Sequence, residues 1–414
     1  MKKALSDVLR KIKPSKDEEK AIKYRIDALL IKINHNLKDA NAILGGSGIK
    51  GTWLREANDA DIFVKFKYNK YKNKSQELSE ILEKILKKKK LKATKLHGSR
   101  DYFQIKKEGF TFEIVPILGI KNAKQAENIT DVSPLHANWV NKKGKKFKDD
   151  IRLLKQFCKA ADVYGAESYI QGFSGYICEI LAIHYKGFIN TIKNAARWKG
   201  KVIIDPEKYW KNRNILLELN KSKICSPLIL IDPVQADRNA AAALSEEKFE
   251  LFKKKAKEFL KRPSEQFFEI KEIDENMLKK KAGNNELILI EAEPKKGKRD
   301  VVGCKLIKAL EFIVNKLKQN DFDVIDYGWK WNKKALFYCI IKKEKLGDKI
   351  KVTGPPIKLE AHVKNFKKKY GKTFIKNNVI YAEIKRKFKK PKEVLSSLKE
   401  DVYLKDKIDG FIIK

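Results

Sequence analysis

An α+β, multidomain architecture is what the sequence predicts, on three observations. The 414 residues are enough for about two to four domains. The first third alternates helix, turn and strand in the order α-turn-β-α-β-β, which describes a small mixed α/β unit. The middle then turns helical, and a second mixed unit follows it. Hydrophobic residues make up 43% of the chain and aromatics 10%, so each unit can bury a core of its own.

Taken in order, residues 1–40 read as helical. Pro14-Ser15 opens a segment in which Ala21, Tyr24, Ile26, Leu29, Leu30 and Ile33 recur at three-to-four spacing. A glycine-rich turn, Gly45-Gly46-Ser47-Gly48, leads to a strand over 59–66. A helix over 76–89 aligns Leu78, Ile81, Leu82, Ile85 and Leu86, with Lys87–Lys90 on its solvated face, and strands fit 101–106 and 110–118. The stretch from about 149 to 261 reads as helical at 151–161, 173–185 and 246–260, ended by Pro263. Strands over 286–293, 322–331 and 335–341 surround an amphipathic helix over 304–318. Gly354-Pro355-Pro356 then opens a final segment with a strand of its own over 379–384. These divisions give a first domain over 1–148, a second over 149–265, a third over 266–350 and a tail over 351–414.

The charge balance narrows the partners. Lys and Arg number 93 against 53 Asp and Glu, a formal net charge of +40. A fold carrying such a surplus repels itself, and a polyanion such as nucleic acid is the simplest partner for it. The tail alone holds 18 Lys/Arg against 7 Asp/Glu. No window approaches the roughly 18 apolar residues of a membrane span. The first residues, Met1-Lys2-Lys3-Ala4-Leu5-Ser6, run into a charged helix and not an apolar signal core, so export is not expected. Five scattered cysteines without a Cys-x-x-Cys pair suit a reducing, cytoplasmic setting and speak against a zinc ribbon.

The chemistry concentrates in Leu44-Gly-Gly-Ser-Gly-Ile-Lys-Gly-Thr-Trp-Leu-Arg55 followed by Asp59-Ala-Asp-Ile-Phe-Val64. On a strand, residues i and i+2 share a face, so Asp59 and Asp61 present two carboxylates side by side. Two such groups resist joint ionisation unless a cation lies between them. Hard oxygen ligands of this kind suit Mg²⁺ bridging substrate phosphates. A third carboxylate on a neighbouring strand would complete a two-metal site for in-line nucleotidyl transfer, and Glu113, within Phe110-Thr-Phe-Glu-Ile-Val-Pro116, is the candidate. With eleven residues between it and Asp59, Gly46-Ser47 offers backbone N–H groups and a hydroxyl to a triphosphate, and Lys50 adds a point charge.

Gly-Ser, a gap of this size and then Asp-apolar-Asp-apolar resembles the signature of the polymerase-β-type nucleotidyltransferase superfamily. The string Gly51-Thr-Trp-Leu-Arg55 narrows the likeness to the archaeal-type (class I) CCA-adding enzymes, which rebuild the 3′ CCA end of tRNA. Arg152-Leu-Leu-Lys155, Tyr164-Gly-Ala-Glu167, Gly172-Phe-Ser-Gly-Tyr176, Asp232-Pro-Val234 with Arg238-Asn239, and Gly354-Pro-Pro356 are similar to that family in the same order. The likeness runs from Pro14 nearly to the C-terminus.

The resemblance implies a polymerase-β-like nucleotidyltransferase head, a helical neck, a mixed α/β body and a basic tail, the last two binding tRNA. It places metal ligands at Asp59, Asp61 and Glu113 and nucleotide contacts at Ser47, Lys50, His136, Lys155 and Tyr164. It gives Arg238 a part in orienting the incoming base or the RNA strand, against a plain structural ion pair as the alternative. It further implies CTP and ATP as substrates, two Mg²⁺ ions as cofactor, the acceptor stem and TΨC arm side of tRNA as partner surface, and often a homodimer. The sequence departs from the family at three places. Glu113 stands where Asp is common, Gln235 where an acid is expected, and Arg100-Asp101-Tyr102 where His-Pro-Tyr is usual. A poly(A)-type or 2′-5′ oligoadenylate-type enzyme shares the head motifs but not the basic body and tail. A catalytically idle RNA-binding relative would be expected to lose a carboxylate, and all three positions are filled. A restricted member adding only A or only CC is compatible with this sequence.

Overall fold

The structure, a computed structural model, describes residues 1–55, 57–270, 273–332, 334–344 and 346–414. Its contacts divide the chain into two units, Met1–Lys271 and Glu272–Lys414.

The first unit begins with α1 (Lys2–Ile12) and α2 (Lys16–Asn34). Ser15 and Glu18 close a reciprocal capping box at the start of α2, and Asp17, Glu18 and Glu19 place negative charge at its positive end. Next come β1 (Ala40–Leu44), the short helix α3 (Gly46–Lys50), β2 (Asp59–Lys67), α4 (Tyr68–Tyr71), α5 (Leu78–Lys88), β3 (Thr94–Leu96), β4 (Tyr102–Lys107) and β5 (Phe110–Gly119). The strands form a five-stranded sheet in the order β1-β2-β5-β4-β3, with β2 and β5 parallel and the other pairs antiparallel. Strand alternation decides what each face does. Ala60, Ile62, Val64 and Phe66 of β2 are buried in one cluster with Ile26, Leu29 and Ile33 of α2 and Leu78, Leu82 and Leu86 of α5. Asp59 and Asp61 therefore turn to the opposite face. The expected glycine turn is in part the five-residue helix α3, which tertiary contacts hold despite its glycines.

The rest of the unit is built on α6 (Ser133–Gly144), α7 (Lys148–Ala160), α8 (Gly175–His184), α9 (Phe188–Ala195) and α12 (Glu246–Lys261). Their core holds Phe157, Phe173, Phe188, Phe252 and Phe259, all fully buried. The stretch read as helical also contains a small sheet, β6 (Val202–Ile204), β7 (Leu228–Asp232) and β8 (Gln235–Asn239), with the short helices α10 (Ile215–Glu218) and α11 (Lys221–Ile224) before β7. Every residue of β7 is buried, because its alternate side chains enter two different clusters.

The second unit holds α13 (Glu275–Ala282), β9 (Glu286–Pro294), α14 (Arg299–Gln319), β10 (Val324–Trp331), β11 (Ala335–Ile341), β12 (Lys349–Pro356), α15 (Glu360–Tyr370), β13 (Thr373–Lys376), β14 (Val379–Lys385), α16 (Pro391–Ser397), α17 (Val402–Lys407) and β15 (Ile408–Ile413). Antiparallel pairing gives one sheet in the order β10-β11-β9-β15, packed on α14, and another in the order β12-β14-β13. Among the described residues no helix is long and apolar enough to cross a membrane.

Candidate active site

The parallel register of β2 and β5 sets Asp61 directly opposite Glu113, with Asp59 opposite Thr111. The three carboxylates thus share the face of the sheet that α2 and α5 leave uncovered. Burial first, then the charges of Glu113 and Asp59, push the Asp61 carboxyl up to about 6, with Lys50 opposing. Glu113 is also raised, by burial and by Asp59, against a hydrogen bond from Gln104 on β4. A face that resists its own ionisation is suited to a hard divalent cation. Among the described residues no three acidic, thiol or imidazole groups form a ready-made metal cage. Mg²⁺ is usually held by one or two carboxylates together with substrate phosphates, so this donor set fits it.

The backbone of α3 closes over the same face. Gly45 N–H donates to Asp61 O at 2.7 Å. Gly46 has φ +52, and a Cβ on it would lie 1.7 Å from Asp61 Oδ2. A side chain there meets both a strained backbone and the carboxylate. Gly46→Ala is therefore expected to lower nucleotide incorporation by roughly a hundredfold or more through displacement of Asp61, by analogy with misplaced catalytic groups. Incorporation assays run beside far-UV circular dichroism check this. An active Gly46→Ala enzyme would show that the contact is dispensable.

A group that sequence reasoning missed organises the two candidate lysines. Glu179 on α8 is fully buried and accepts from Lys50 Nζ at 2.8 Å, Lys155 Nζ at 2.8 Å and Thr52 Oγ1 at 2.9 Å. Burial alone would raise its carboxyl; the charges and hydrogen bonds of Lys155 and Lys50 outweigh that and hold it at about 2. Lys155 also donates to Thr52 Oγ1 at 3.0 Å and to Thr52 O at 3.4 Å. Its three N–H donors are thereby engaged, so a phosphate contact requires it to release Thr52. Lys50 donates among the described residues to Glu179 alone, which leaves two donors for a phosphate. Arg152 completes the clamp on the same segment by donating to Gly51 O at 2.9 Å and Trp53 O at 3.0 Å. The sequence signal for Glu179 was available: it is the one acid in Ile177-Cys-Glu-Ile-Leu-Ala182, and a charge in such a run needs a partner.

A second buried carboxylate gathers the remaining polar candidates. Asp232, at the end of β7, accepts from His136 Nε2 at 3.0 Å, Tyr176 Oη at 3.0 Å and Arg238 Nη1 at 2.5 Å. Burial opposes its ionisation, yet the hydrogen bond and charge of His136, with Val234 N–H and Arg238, hold its carboxyl below the ordinary value. The His136 ring stacks on Tyr176 at 4.1 Å, and Lys50 Nζ lies 5.4 Å from the centre of the same Tyr176 ring. Arg238 therefore forms an ion pair, as its plainer reading expects, while its side chain stays 29% exposed. It lines a cavity of about 490 Å³ together with His136, Tyr176, Ser174 and Thr130. That volume lies within the range typical of small-ligand sites, roughly 300–1,000 Å³. Asp59, Asp61 and Glu113 are not among the residues lining it, so this cavity lies on the His136 side of the site.

The other candidates fall into place around these groups. Ser47 is half-buried in the first turn of α3, next to Gly46. Tyr164 bridges to Phe173, and its hydroxyl and Lys155 both lie against Gly175, where a Cβ would meet them at 2.9 and 3.6 Å. Burial first, then nearby Cys178 and Glu179, push its hydroxyl up. Arg100, which stands in the unusual Arg-Asp-Tyr string, is a buried structural residue: it pairs with Asp131, donates to Pro116 O at 3.0 Å and to Ser75 at 2.6 Å, and anchors the loop that leads to α6.

Three sequence matches bear on this site. Residues 149–269 match the family described as tRNA nucleotidyltransferase, second domain, and residues 287–407 the CCA-adding enzyme, C-terminal domain. Residues 1–153 match a Second Messenger Oligonucleotide or Dinucleotide Synthetase domain. A CCA-adding enzyme of Nanoarchaeum equitans is 39% identical over 369 residues, 88% of this chain and 88% of that one. One of Methanosarcina acetivorans is 30% identical over 410 residues, 94% of this chain and 87% of the relative. The solved structure of the RNA terminal uridylyl transferase Cid1 superposes with a TM-score of 0.50 at 14% identity, covering 66% of this chain and 98% of the other. That likeness shows a shared nucleotidyltransferase fold.

Proposed function

The chain belongs to the CCA-adding enzyme family, and from that premise we propose that it adds C, C and A without a template to the 3′ end of tRNA, from CTP and ATP, releasing pyrophosphate. The observation that carries the reading is the register that sets Asp61 opposite Glu113, with the Gly45-Gly46 backbone against Asp61.

In this reading Asp59, Asp61 and Glu113 would hold Mg²⁺, two ions in the full complex. The bound metal would neutralise phosphate charge and favour ionisation of the attacking 3′-hydroxyl. The chain's own groups orient the nucleotide. Ser47 and Lys50 donate to the phosphates, Glu179 keeps Lys50 and Lys155 in place, and Tyr164 buttresses Lys155. His136 and Arg238, fixed by Asp232, face the cavity beside them and there position the base or the RNA end. Residues 1–148 act as the catalytic head and 149–265 as the neck that receives nucleotide and primer. The body over 266–350 and the tail over 351–414 take the tRNA acceptor stem and TΨC arm side, in the cytoplasm. An A-form duplex is read mainly through phosphates and 2′-hydroxyls, which suits a basic protein acting on all tRNAs.

The test supplies tRNA transcripts ending before CCA, after C or after CC, with Mg²⁺ and one nucleotide at a time. C addition to the first two and A addition to the third are expected. Transcripts that gain neither nucleotide would exclude CCA addition, and A addition alone would assign the A-adding subclass.

A further inference from the structure

Within its own unit and among the described residues, the C-terminal sheet β12-β14-β13 is covered by a helix on one side, by α15. On β14, Ile380 and Ala382 are buried, and α15 packs over that side, its Phe366 lying beside Gly354 and near Ile380. Alternate positions face the other way. There Phe374 of β13 and Tyr381 of β14 are direct cross-strand partners whose rings stack at 5.6 Å and 22°. Phe374 is 40% exposed and Tyr381 half-buried. Lys351 of β12 reaches over both rings, its Nζ 4.0 Å from the centre of Tyr381 and 5.1 Å from that of Phe374. The register sets Lys349 beside Lys385 and Lys376 beside Val379 on the same face, where Glu383 is the acid and accepts from Lys349 Nζ at 3.3 Å, an exposed pair that a phosphate can displace.

A cross-strand ring pair stabilises a hairpin unaided, but that role needs neither exposure nor a border of cations. Four lysines against one glutamate also oppose pairing of this face with a second copy of itself. Open aromatic rings flanked by positive charge match a nucleobase with its neighbouring phosphates, because every base offers a π-face and every linkage a charge.

We propose that this open face is a stacking platform for an unpaired RNA base: Phe374 and Tyr381 carry the base, and Lys349, Lys351, Lys376 and Lys385 hold the adjoining phosphates. Lys351 moves from the rings to a phosphate as the base arrives. The choice of tRNA as the RNA rests on the function proposed above, whereas the platform rests on the sheet.

The experiment measures equilibrium binding of the full chain to a short single-stranded RNA and to a blunt duplex of equal length, across a salt series. Phe374→Ala and Tyr381→Ala are each expected to weaken single-strand binding roughly tenfold without changing the slope of log K against log salt, because stacking releases no counterions. Tyr381→Phe keeps the ring and is expected to keep the affinity. Phe374→Leu keeps an apolar contact but no ring, and is expected to bind as weakly as Phe374→Ala. Lys385→Ala is expected to flatten the slope by about 0.7. Single-strand affinity unchanged by loss of either ring, or an equal loss on the blunt duplex, would overturn the platform. C addition to tRNA is measured alongside with the unchanged protein. Addition without ring-dependent binding removes the platform and keeps the enzyme reading, and ring-dependent binding without addition does the reverse.

Discussion

Asp61→Asn is expected to lower CCA addition by on the order of a thousandfold and, in metal-free buffer, to make the protein harder to unfold. The two effects share one cause. Asp61 faces Glu113 across the parallel pair and neighbours Asp59, and its carboxyl is pushed from the ordinary 3.8 up to about 6. A carboxyl with a raised folded pKa opposes folding whenever it is ionised. The penalty is absent below about 3.8, grows as the pH rises through the folded value near 6, and is complete above it. The gap of about two units corresponds to at most about 3 kcal/mol near neutral pH. Asparagine keeps the shape and removes the charge, so denaturant unfolding in a chelator should favour the variant at neutral pH and lose the difference at acid pH. A variant less stable than the parent at neutral pH would show that Asp61 supports the fold and would remove it from the assigned role.

Glu179→Ala is expected to act in the opposite sense on stability. It leaves Lys50 and Lys155 buried without their counter-charge, and breaking such a cluster costs about 3–5 kcal/mol. The pH dependence also reverses. Glu179 is held at about 2 against an ordinary 4.5, so its contribution is complete above 4.5 and is lost as the pH falls towards 2. Urea unfolding of the parent and of Glu179→Gln should therefore converge in acid. Replacing all three groups by apolar ones, Glu179→Leu with Lys50→Met and Lys155→Met, should recover most of the stability while nucleotide incorporation stays low. A single Glu179→Ala variant as stable as the parent would mean that the lysines find solvent or other partners.

What could be read beforehand followed the range of the signal. Asp59 and Asp61 were visible because two residues of spacing on a strand fix a shared face. The helix α5 was visible because Leu78, Leu82 and Leu86 repeat with its turns. The helix α14 begins at Arg299, before the 304 expected, because an apolar pattern is weak over a polar first turn. The strands β6 to β8 went unread: β6 has three residues, and the apolar run of β7 fits helix and strand alike. Glu179, and the partners of Asp232 in its Asp-Pro-Val string, were the largest omissions. The partners lie 129, 127 and 24 positions from Glu179, and 96 and 56 from Asp232 for His136 and Tyr176, and such distances leave no trace in local spacing. Those same long reaches tie together groups that the motifs supplied one at a time.

The reach from Lys50 and Thr52 to Glu179 also sets the order of events during synthesis. A nascent chain can pair β2 with β5 once residue 119 has emerged, and the acidic face then exists. Lys50 still lacks its counter-ion until α8 has been made and docked. The Lys50–Glu179–Lys155 cluster is thus completed late, when α8 docks. A chain that ends before α8 would carry the three carboxylates while Lys50 and Thr52 still lack Glu179 as a partner.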